Sequence, residues 1–341
     1  MTNPYDAVLV VSFGGPEGPD DVMPFLENVT RGKGVPRARL LEVARHYDQL
    51  GGVSPINAQN RQLIRALEAE LAAHGPRLPI YWGNRNWHPL LADTLGQMAD
   101  DGVRRAIAYV TSAYSSYSGC RQYLEDIGRA REAVGPKAPQ VDKLRAFYNH
   151  PGLIEAVSDR VRDALESLSA TAGESAQVVF TAHSLPLSMS ASCAYVEQLQ
   201  EASRLVAERL GLRDWTLAYQ SRSGPPAQPW LEPDVCDCLR QLKSQGATAV
   251  VVVPIGFLSD HVEVVYDLDT EARQLSAELG LSFRRAATVG THPTFVAMIR
   301  ELILERVDAT TPRRFLGDQG PRPDVCADDC CPAPKRPGRG S

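Results

Sequence analysis

The stretch that decides the fold is residues 249–271, which read AVVVVPIGFLSDHVEVVYDLDTE. Its first part is apolar and rich in β-branched residues up to Gly256, which predicts a strand buried on both faces of a parallel sheet. Its second part predicts a helix, and Ser259 or Asp260 is suited to the N-cap position. One strand followed directly by one helix is the repeating unit of an α/β fold.

Four carboxylates mark one side of this predicted helix. They are Asp260, Glu263, Asp267 and Glu271, and at about 100° per residue they fall within a narrow stripe. Like charges at this spacing repel each other by a few tenths of a kcal/mol per pair. The stripe is either a solvated face or a path for cations or protons that starts at the end of the strand, where open α/β folds place ligands. His261, beside the stripe, favours the path.

Similar strand patterns recur along the chain, with amphipathic helical patterns between them. The predicted strands are residues 7–13, 78–83, 105–111, 177–182, 217–220, 249–257 and 285–290. Strands that alternate with helices indicate βαβ units and a parallel sheet. We therefore predict an α/β fold of two similar Rossmann-like, doubly wound halves.

The predicted halves are residues 1–150 and 151–309, and they are followed by a cysteine-containing tail, residues 310–341, that packs on the body. Polar residues follow most of the predicted strands, as in the segment that begins at Thr181 and His183. Two halves that present such loops to each other form a cleft between them.

Composition excludes several classes of function. The chain has 341 residues, 43% of them hydrophobic, and a net charge of −5. It offers no basic patch with interleaved aromatic residues, so we expect no nucleic-acid partner. The longest apolar run is about half of a membrane span, and the N-terminus does not resemble a signal peptide. We therefore expect a cytoplasmic protein without a transmembrane segment, and the seven unevenly spread cysteines do not form a secreted disulfide framework.

His183 is the strongest single candidate for catalysis or metal contact, although an isolated histidine is often structural. It follows the predicted strand VVFTA and comes directly before Ser184. No G-x-S-x-G elbow surrounds Ser184, which argues against nucleophilic hydrolysis. The first loop, FGGPEGP, lacks the spacing of a phosphate-binding loop. Its paired glycines either let the backbone approach a bulky ligand or form an ordinary turn.

Seven motifs, in order, resemble those of the ferrochelatase family, and the match covers nearly the whole chain. They are SFGGP (12–16), GGVSPI (51–56), GNRNWHP (83–89), SAYSSYS (112–118), TAHSLP (181–186), YQSRSGP (219–225) and PIGFLSDHVEVVYDLD (254–269). The resemblance implies two Rossmann-like halves of chelatase type, a porphyrin cleft between them, and insertion of Fe²⁺ as a substrate to make haem or coprohaem. It also implies that His183 and Glu263 contact iron and handle protons, and that Ser54 and Tyr123 contact the porphyrin.

The chemistry of metallation agrees with these residue types. Two pyrrole protons must leave the macrocycle, and a histidine with an ordinary pKa of about 6.5 can accept a proton at neutral pH. Carboxylates suit either a weakly held divalent ion or a proton relay, so Asp260, Asp267 and Glu271 remain open between the two roles. Phe13 stands where some relatives carry Tyr or Met; since it cannot bind iron, we expect it to pack against the ring.

A basic segment, residues 31–47, indicates which porphyrin is the substrate. Arg31 and Arg45, with three further basic residues between them, match the four propionates of coproporphyrin III better than the two of protoporphyrin IX. A basic solvated helix face is the plain alternative. Protoporphyrin IX as substrate, or a non-catalytic tetrapyrrole or metal carrier, remains an alternative function. We expect a monomer that contacts neighbouring enzymes of the haem pathway transiently.

The tail contains three of the seven cysteines, within the sequence CADDCCP. Grouped thiolates in a cytoplasmic protein favour a metal over a disulfide, and a 2Fe–2S cluster needs four. The resemblance points to Cys120 as the internal thiolate, with Cys326, Cys330 and Cys331 from the tail. Cys193 is an alternative internal ligand, while a zinc site or an unliganded tail is an alternative to the cluster.

Overall fold

The computed structural model of the protein describes residues 3–172, 176–224 and 227–333. Within these ranges the chain forms two four-stranded sheets, and every strand pair within them is parallel. The predicted α/β fold with two similar halves is confirmed. Residues 334–341 of the predicted tail and Pro225 of the YQSRSGP motif lie outside the described ranges.

The first sheet has the strand order β2-β1-β3-β4. Its strands are β1 (Ala7–Ser12), β2 (Ile80–Asn84), β3 (Arg105–Val110) and β4 (Gln140–Lys143). Five helices accompany them: α1 (Pro19–Val29), α2 (Arg37–Asp48), α3 (Pro55–His74), α4 (Leu91–Asp100) and α5 (Gln122–Val134). All six residues of β1 are buried, as expected for a central strand covered on both faces.

The second sheet repeats this topology as β6-β5-β7-β8. Its strands are β5 (Gln177–His183), β6 (Trp215–Gln220), β7 (Ala249–Val253) and β8 (Ser282–Arg285). Its helices are α6 (Pro151–Ala172), α7 (Leu187–Ser190), α8 (Tyr195–Leu210), α9 (Val235–Ser244), α10 (Val262–Val264), α11 (Arg273–Glu278) and α12 (Pro293–Val307). In both sheets the chain reverses direction beside the central strand, which is where open α/β sheets bind ligands.

Two strand predictions are wrong and one strand was missed. The strand from residue 249 ends at Val253 because Pro254 has no N–H to continue the ladder. The last strand lies at residues 282–285 rather than 285–290, since its position is set by pairing with β7. Strand β4, with the sequence QVDK, was missed because a short, polar edge strand carries little apolar pattern.

The two halves share one hydrophobic core. A single cluster of buried side chains includes Val8 and Tyr109 from the first sheet with Phe180 and Val251 from the second. Helix α12 packs on both α3 and α6, so the last helix joins the two halves. The division of the chain at residues 150 and 309 therefore stays a prediction, because packing does not separate the units.

The segment after α12 is anchored to the body well before its cysteines. Asn149 donates side-chain hydrogen bonds to the carbonyl oxygens of Leu316 (3.2 Å) and Gly320 (2.9 Å). The buried Arg145 guanidinium, which also pairs with Glu305 of α12, donates a hydrogen bond to the carbonyl oxygen of Arg314 at 2.9 Å. These bonds hold the described part of the tail against the junction between β4 and α6.

None of the helices in the described ranges has the length and apolar character needed to cross a membrane.

Candidate active site

The carboxyl ends of the two sheets are joined directly. Tyr114, after β3, donates its hydroxyl hydrogen to the carbonyl oxygen of Ile255, after β7, at 3.0 Å. Ser115 donates its backbone N–H to Gln198 of α8 at 2.7 Å, and the Gln198 amide donates back to the Ser115 hydroxyl at 2.9 Å. These buried bonds bring the loops that follow the central strands of both halves to one region.

His183 is the last residue of β5, and its neighbours determine which ring nitrogen is available. Nδ1 lies 2.6 Å from the carbonyl oxygen of Ser184, which can only accept, so Nδ1 carries the proton. Nε2 therefore has a free lone pair and lies 3.7 Å from Oε2 of Glu263. The two side chains are 33% and 46% exposed, so both can meet a ligand. The structure brings together the pair that the resemblance implied.

Glu263 lies on a helix that begins later than the sequence suggested. His261, rather than Ser259 or Asp260, is the N-cap residue, and its side chain makes no capping hydrogen bond. Helix α10, a π-helical segment (Val265–Ala272) and α11 follow without interruption. We call residues 262–278 the acidic helix. Wide π-helical turns are rare and occur often at functional sites.

Asp260 is not part of this helix. Its carboxylate forms an ion pair with Arg285 at 3.0 Å and accepts a hydrogen bond from the Gln59 amide at 3.3 Å. Its backbone N–H donates to Gln59 Oε1 at 2.8 Å, which ties the entrance of the acidic helix to α3. The four-residue stripe is thus reduced to three helical carboxylates, and a relay role for Asp260 stays a prediction that its pairing with a cation disfavours.

Asp267 is the most strongly perturbed carboxylate of the stripe. Burial raises its pKa to about 7, hydrogen bonds from Ser221 and Gln220 oppose this rise, and the charges of Glu263 and Glu271 add to it. Ser221 donates its hydroxyl hydrogen to Asp267 Oδ2 at 2.5 Å, and Gln220 Nε2 donates at 3.3 Å. A carboxyl with this pKa can take up and release protons at neutral pH.

Glu271 continues the series toward the surface. Burial and the charge of Asp234 raise its pKa as well. The sequence marks Gln220 and Ser221, in the YQSRSGP motif at the end of β6, as polar residues at a strand end but does not indicate that they bind Asp267. Their position became informative only when the fold placed β6 beside the acidic helix.

The expected ring contacts lie in the first half. Phe13 follows β1 and is 37% exposed. Tyr123 and Ser54 are buried. The Arg85 guanidinium lies over the Phe13 ring at 5.8 Å and over the Tyr123 ring at 4.3 Å, a contact that the sequence did not indicate.

The glycines of the first loop approach protein atoms. A Cβ added to Gly15 would lie 2.7 Å from Cβ of Ser54, and one added to Gly14 would lie 2.9 Å from Cβ of Asn84. Gly14 also has a φ of +82°, which favours glycine. Close packing against protein atoms, rather than against a ligand, therefore explains why glycine is needed at these two positions.

The predicted basic contacts are exposed. Arg31 lines a pocket of about 530 Å³ together with Arg85 and Arg129. Asp126 is the one carboxylate of that lining, and it forms ion pairs with both Arg85 and Arg129. Positive charge therefore exceeds negative charge in the pocket. Arg45 lies on the exposed side of α2.

The tail loop that carries three cysteines is hydrogen-bonded to the turn that carries Cys120. Cys120 lies in a π-helical turn (Tyr117–Arg121), whose last residue, Arg121, donates to the carbonyl oxygens of Ala327 (3.2 Å) and Cys330 (3.0 Å). The Sγ atoms of Cys330 and Cys331 are 3.6 Å apart.

The thiols also affect one another's pKa values through electrostatic interactions. Burial raises the pKa of both Cys326 and Cys331, and Cys330 and Cys120 raise it further. Cys193 has a smaller effect on Cys331, and Cys330 in turn raises the pKa of Cys193. No disulfide joins any of the seven cysteines. Among the described residues, no three His, Cys, Asp or Glu side chains are arranged as a metal site.

The raised pKa of Asp267 predicts a dependence of stability on pH. The folded protein retains this proton up to about pH 7, whereas an unfolded aspartate loses it near pH 3.9. The stability that the protonated Asp267 contributes to the folded protein is therefore fully present below about pH 4 and is lost as pH rises through 7. The free energy of unfolding of Asp267→Asn, measured with urea, should therefore increase relative to that of the wild type by at least about 2 kcal/mol when the pH is raised from 4.5 to 8. Asp100→Asn, at an exposed site, is the control, and it should change the free energy of unfolding by the same amount at both pH values. If Asp267→Asn behaved in the same way, the interpretation of Asp267 as a buried, protonated carboxyl group would be contradicted.

Comparisons with known proteins show which family the chain belongs to. The sequence model of the Ferrochelatase family matches residues 5–307. The chain is 56% identical to a ferrochelatase from Rhodopirellula baltica over 336 residues, which are 98% of this chain and 95% of that protein. It is 53% identical over 344 residues to a coproporphyrin III ferrochelatase from Nocardia farcinica, covering 97% and 98% of the two chains.

A solved structure, SirB from Bacillus subtilis with Fe³⁺, shares the fold with a TM-score of 0.57 at 13% identity, covering 91% of this chain and 98% of that one. At that identity the likeness concerns the fold alone. The family match and the two close relatives each extend over nearly the whole chain. The chain therefore belongs to the ferrochelatase family.

Proposed function

We propose that this protein inserts Fe²⁺ into coproporphyrin III and so forms coprohaem in haem biosynthesis. The observation that carries the proposal is the His183 and Glu263 pair, with 3.7 Å between Nε2 and Oε2, where the carboxyl ends of the two sheets meet. The relative from Nocardia farcinica, 53% identical, bears the name of this activity.

The geometry suggests how the two pyrrole protons leave. Nε2 of His183 has the free lone pair and accepts a proton from a pyrrole N–H. Glu263, beside it, accepts the proton next, and Asp267, one turn further along the acidic helix, can pass it on because its pKa is about 7. The macrocycle loses two protons, Fe²⁺ takes their place, and the oxidation state of iron does not change.

The raised pKa of Asp267 also favours one of the two roles left open by the sequence. A carboxyl group that is half protonated at neutral pH is a poor ligand for a divalent cation, because the proton competes with the metal. We therefore assign Asp267 to the release of protons rather than to the delivery of iron, and place Glu271 next in the same series because burial raises its pKa as well.

Replacing either member of the central pair should stop the reaction without removing the ring. His183→Ala and Glu263→Gln should each lower kcat for iron insertion by about a hundredfold or more, while the Kd for porphyrin, measured by fluorescence quenching, stays within about threefold. Asp267→Asn and Glu271→Gln should be milder, because water can bypass outer members of a relay. Glu278→Gln, at the exposed end of the same helix, is the matched control. Near-normal turnover in either central variant would remove that residue from catalysis.

The choice of coproporphyrin III is supported by charge. Arg31, Arg85 and Arg129 outnumber Asp126 around one pocket, and Arg45 adds an exposed cation on α2. A propionate carboxylate gains charge-assisted hydrogen bonds from such arginines. Coproporphyrin III has four propionates to offer, and protoporphyrin IX has two.

The specificity constant should therefore be higher for coproporphyrin III than for protoporphyrin IX, measured anaerobically with Fe²⁺. Arg31→Ala and Arg45→Ala should each reduce the ratio of the two constants by raising KM for coproporphyrin III. Arg65→Ala, exposed on α3, should leave the ratio unchanged. A higher constant for protoporphyrin IX would support the alternative substrate, and binding without turnover would support a non-catalytic carrier.

We also propose that Cys120, Cys326, Cys330 and Cys331 hold a 2Fe–2S cluster. The thiolate set suits iron and sulfide chemistry, and Arg121 already holds the tail loop against the turn that carries Cys120. When bound, the cluster would supply a covalent link between the tail and the first half. Cys236 and Cys238 are disfavoured as ligands, since both lie on α9 and Cys236 is near Asp234 and Glu271.

Protein purified anaerobically should be red-brown, with about two irons per chain. Cys120→Ser should lose the colour and lower the free energy of unfolding, because the last part of the tail is then released. Cys193→Ser should keep the cluster, and Cys236→Ser serves as a distant control. Colourless protein that contains zinc would contradict the cluster, while colour retained in Cys120→Ser but lost in Cys193→Ser would move the internal ligand.

We further propose that the enzyme acts in the cytoplasm as a monomer that meets neighbouring enzymes of the haem pathway transiently. The cytoplasmic location is supported by the seven cysteines, none of which is in a disulfide.

A further inference from the structure

Helices α1 and α2 form a small layer with a hydrophobic core of its own, and we call residues 19–48 the cap. Its buried side chains include Phe25, Leu40 and Tyr47. The same cluster contains Val262, the first residue of the acidic helix. The cap of the first half thus packs directly on the segment of the second half that carries Glu263.

A second contact joins the same two elements. The imidazole ring of His46 stacks on the phenol ring of Tyr266, with 3.7 Å between ring centroids and 5° between ring planes. Val262 and Tyr266 are four residues apart, so they lie on neighbouring turns of one helix face. The cap therefore holds the acidic helix at two points, one on each side of Glu263 in the sequence.

Glu263 lies within electrostatic reach of both cap residues that make these contacts. Burial raises the pKa of Tyr47, and the negative charge of Glu263 raises it further. Burial lowers the pKa of His46, the charge of Arg39 lowers it further, and Glu263 opposes both. The carboxylate of Glu263 is thus bordered by the cap on one side and by His183 on the other.

The Glu263 side chain needs such a restraint. It is 46% exposed, and its distance of 3.7 Å to His183 Nε2 is longer than a hydrogen bond. Its position therefore depends on the backbone of the acidic helix, and the π-helical segment begins only two residues later, at Val265. Such π-helical segments are rare and occur often at functional sites, and the cap packs on this one from outside.

We propose that His46 is a positioning residue, whose stack on Tyr266 fixes the acidic helix so that the Glu263 carboxylate stays beside His183. The inference rests on the proposed catalytic role of Glu263. His46 acts here through its flat ring and the area it covers, not through a proton. A phenylalanine at position 46 can make the same stack and cannot titrate, so the two kinds of role can be separated.

The test compares His46→Ala with His46→Phe in the full chain. His46→Ala should lower kcat for metallation about tenfold, because small displacements of a reacting group are costly, while the Kd for porphyrin stays within about twofold. His46→Phe should restore at least half of the wild-type kcat. Tyr266→Ala should resemble His46→Ala, and the double variant should be no worse than either single variant, since both remove one contact. His74→Ala, on α3, is the matched control.

Two results would overturn the inference. If His46→Phe were as slow as His46→Ala, the imidazole itself would be required and the stack would not explain its role. If His46→Ala kept the wild-type kcat, the stack would not position Glu263. A wild-type protein without any metallation activity would instead refute the proposed function, and Glu263→Gln with normal turnover would refute the role of Glu263, so these failures can be told apart.

Discussion

The junction between the carboxyl ends of the two parallel sheets is the constraint on which the rest of the structure depends. The carboxyl ends of parallel strands all lie at one edge of the sheet. In each sheet the order in which the chain adds strands reverses beside a central strand, and open α/β sheets bind ligands at that point. Buried hydrogen bonds from Tyr114 and Ser115 then hold the loops of one half against Ile255 and Gln198 of the other. His183 and Glu263 meet because their two strands, β5 and β7, are neighbours at this edge.

Burial differs among the carboxylates of the acidic helix. Glu263 is half exposed beside His183, whereas Asp267 is buried against Gln220 and Ser221 and keeps a proton to about pH 7. Three identical, solvated carboxylates would all be ionised at neutral pH and could not exchange protons there. These environments differ because successive turns of the same helix face different neighbours.

The cap and the tail are held on this frame by different kinds of interaction. The cap covers the acidic helix through apolar packing around Val262 and the ring stack of His46 on Tyr266. The tail is held through hydrogen bonds from Asn149 and Arg121 to its backbone. Apolar packing is not directional, whereas directional hydrogen bonds to carbonyl oxygens fix the position of the loop that carries three cysteines.

Sequence patterns alone determined the α/β class, the two similar halves, and the strand with its following helix at residues 249–271, whereas the pairing of His183 with Glu263 was implied by the family resemblance. These depend on local apolar periodicity and on residue type, which any single sequence displays. Patterns failed where pairing or burial by distant residues decides. Strand β8 takes its register from β7, and Asp260 pairs with Arg285 instead of joining the stripe.

Only the tertiary structure decided which carboxylate would be perturbed and which ring would support the acidic helix. The pKa of Asp267 rises because the packing of the acidic helix beside the end of β6 buries its carboxyl group, although the hydrogen bonds from Gln220 and Ser221 oppose the rise. His46 contacts Tyr266 across more than two hundred residues of chain. Burial and contacts between distant segments depend on the packing of whole elements, and no local pattern of residues records them.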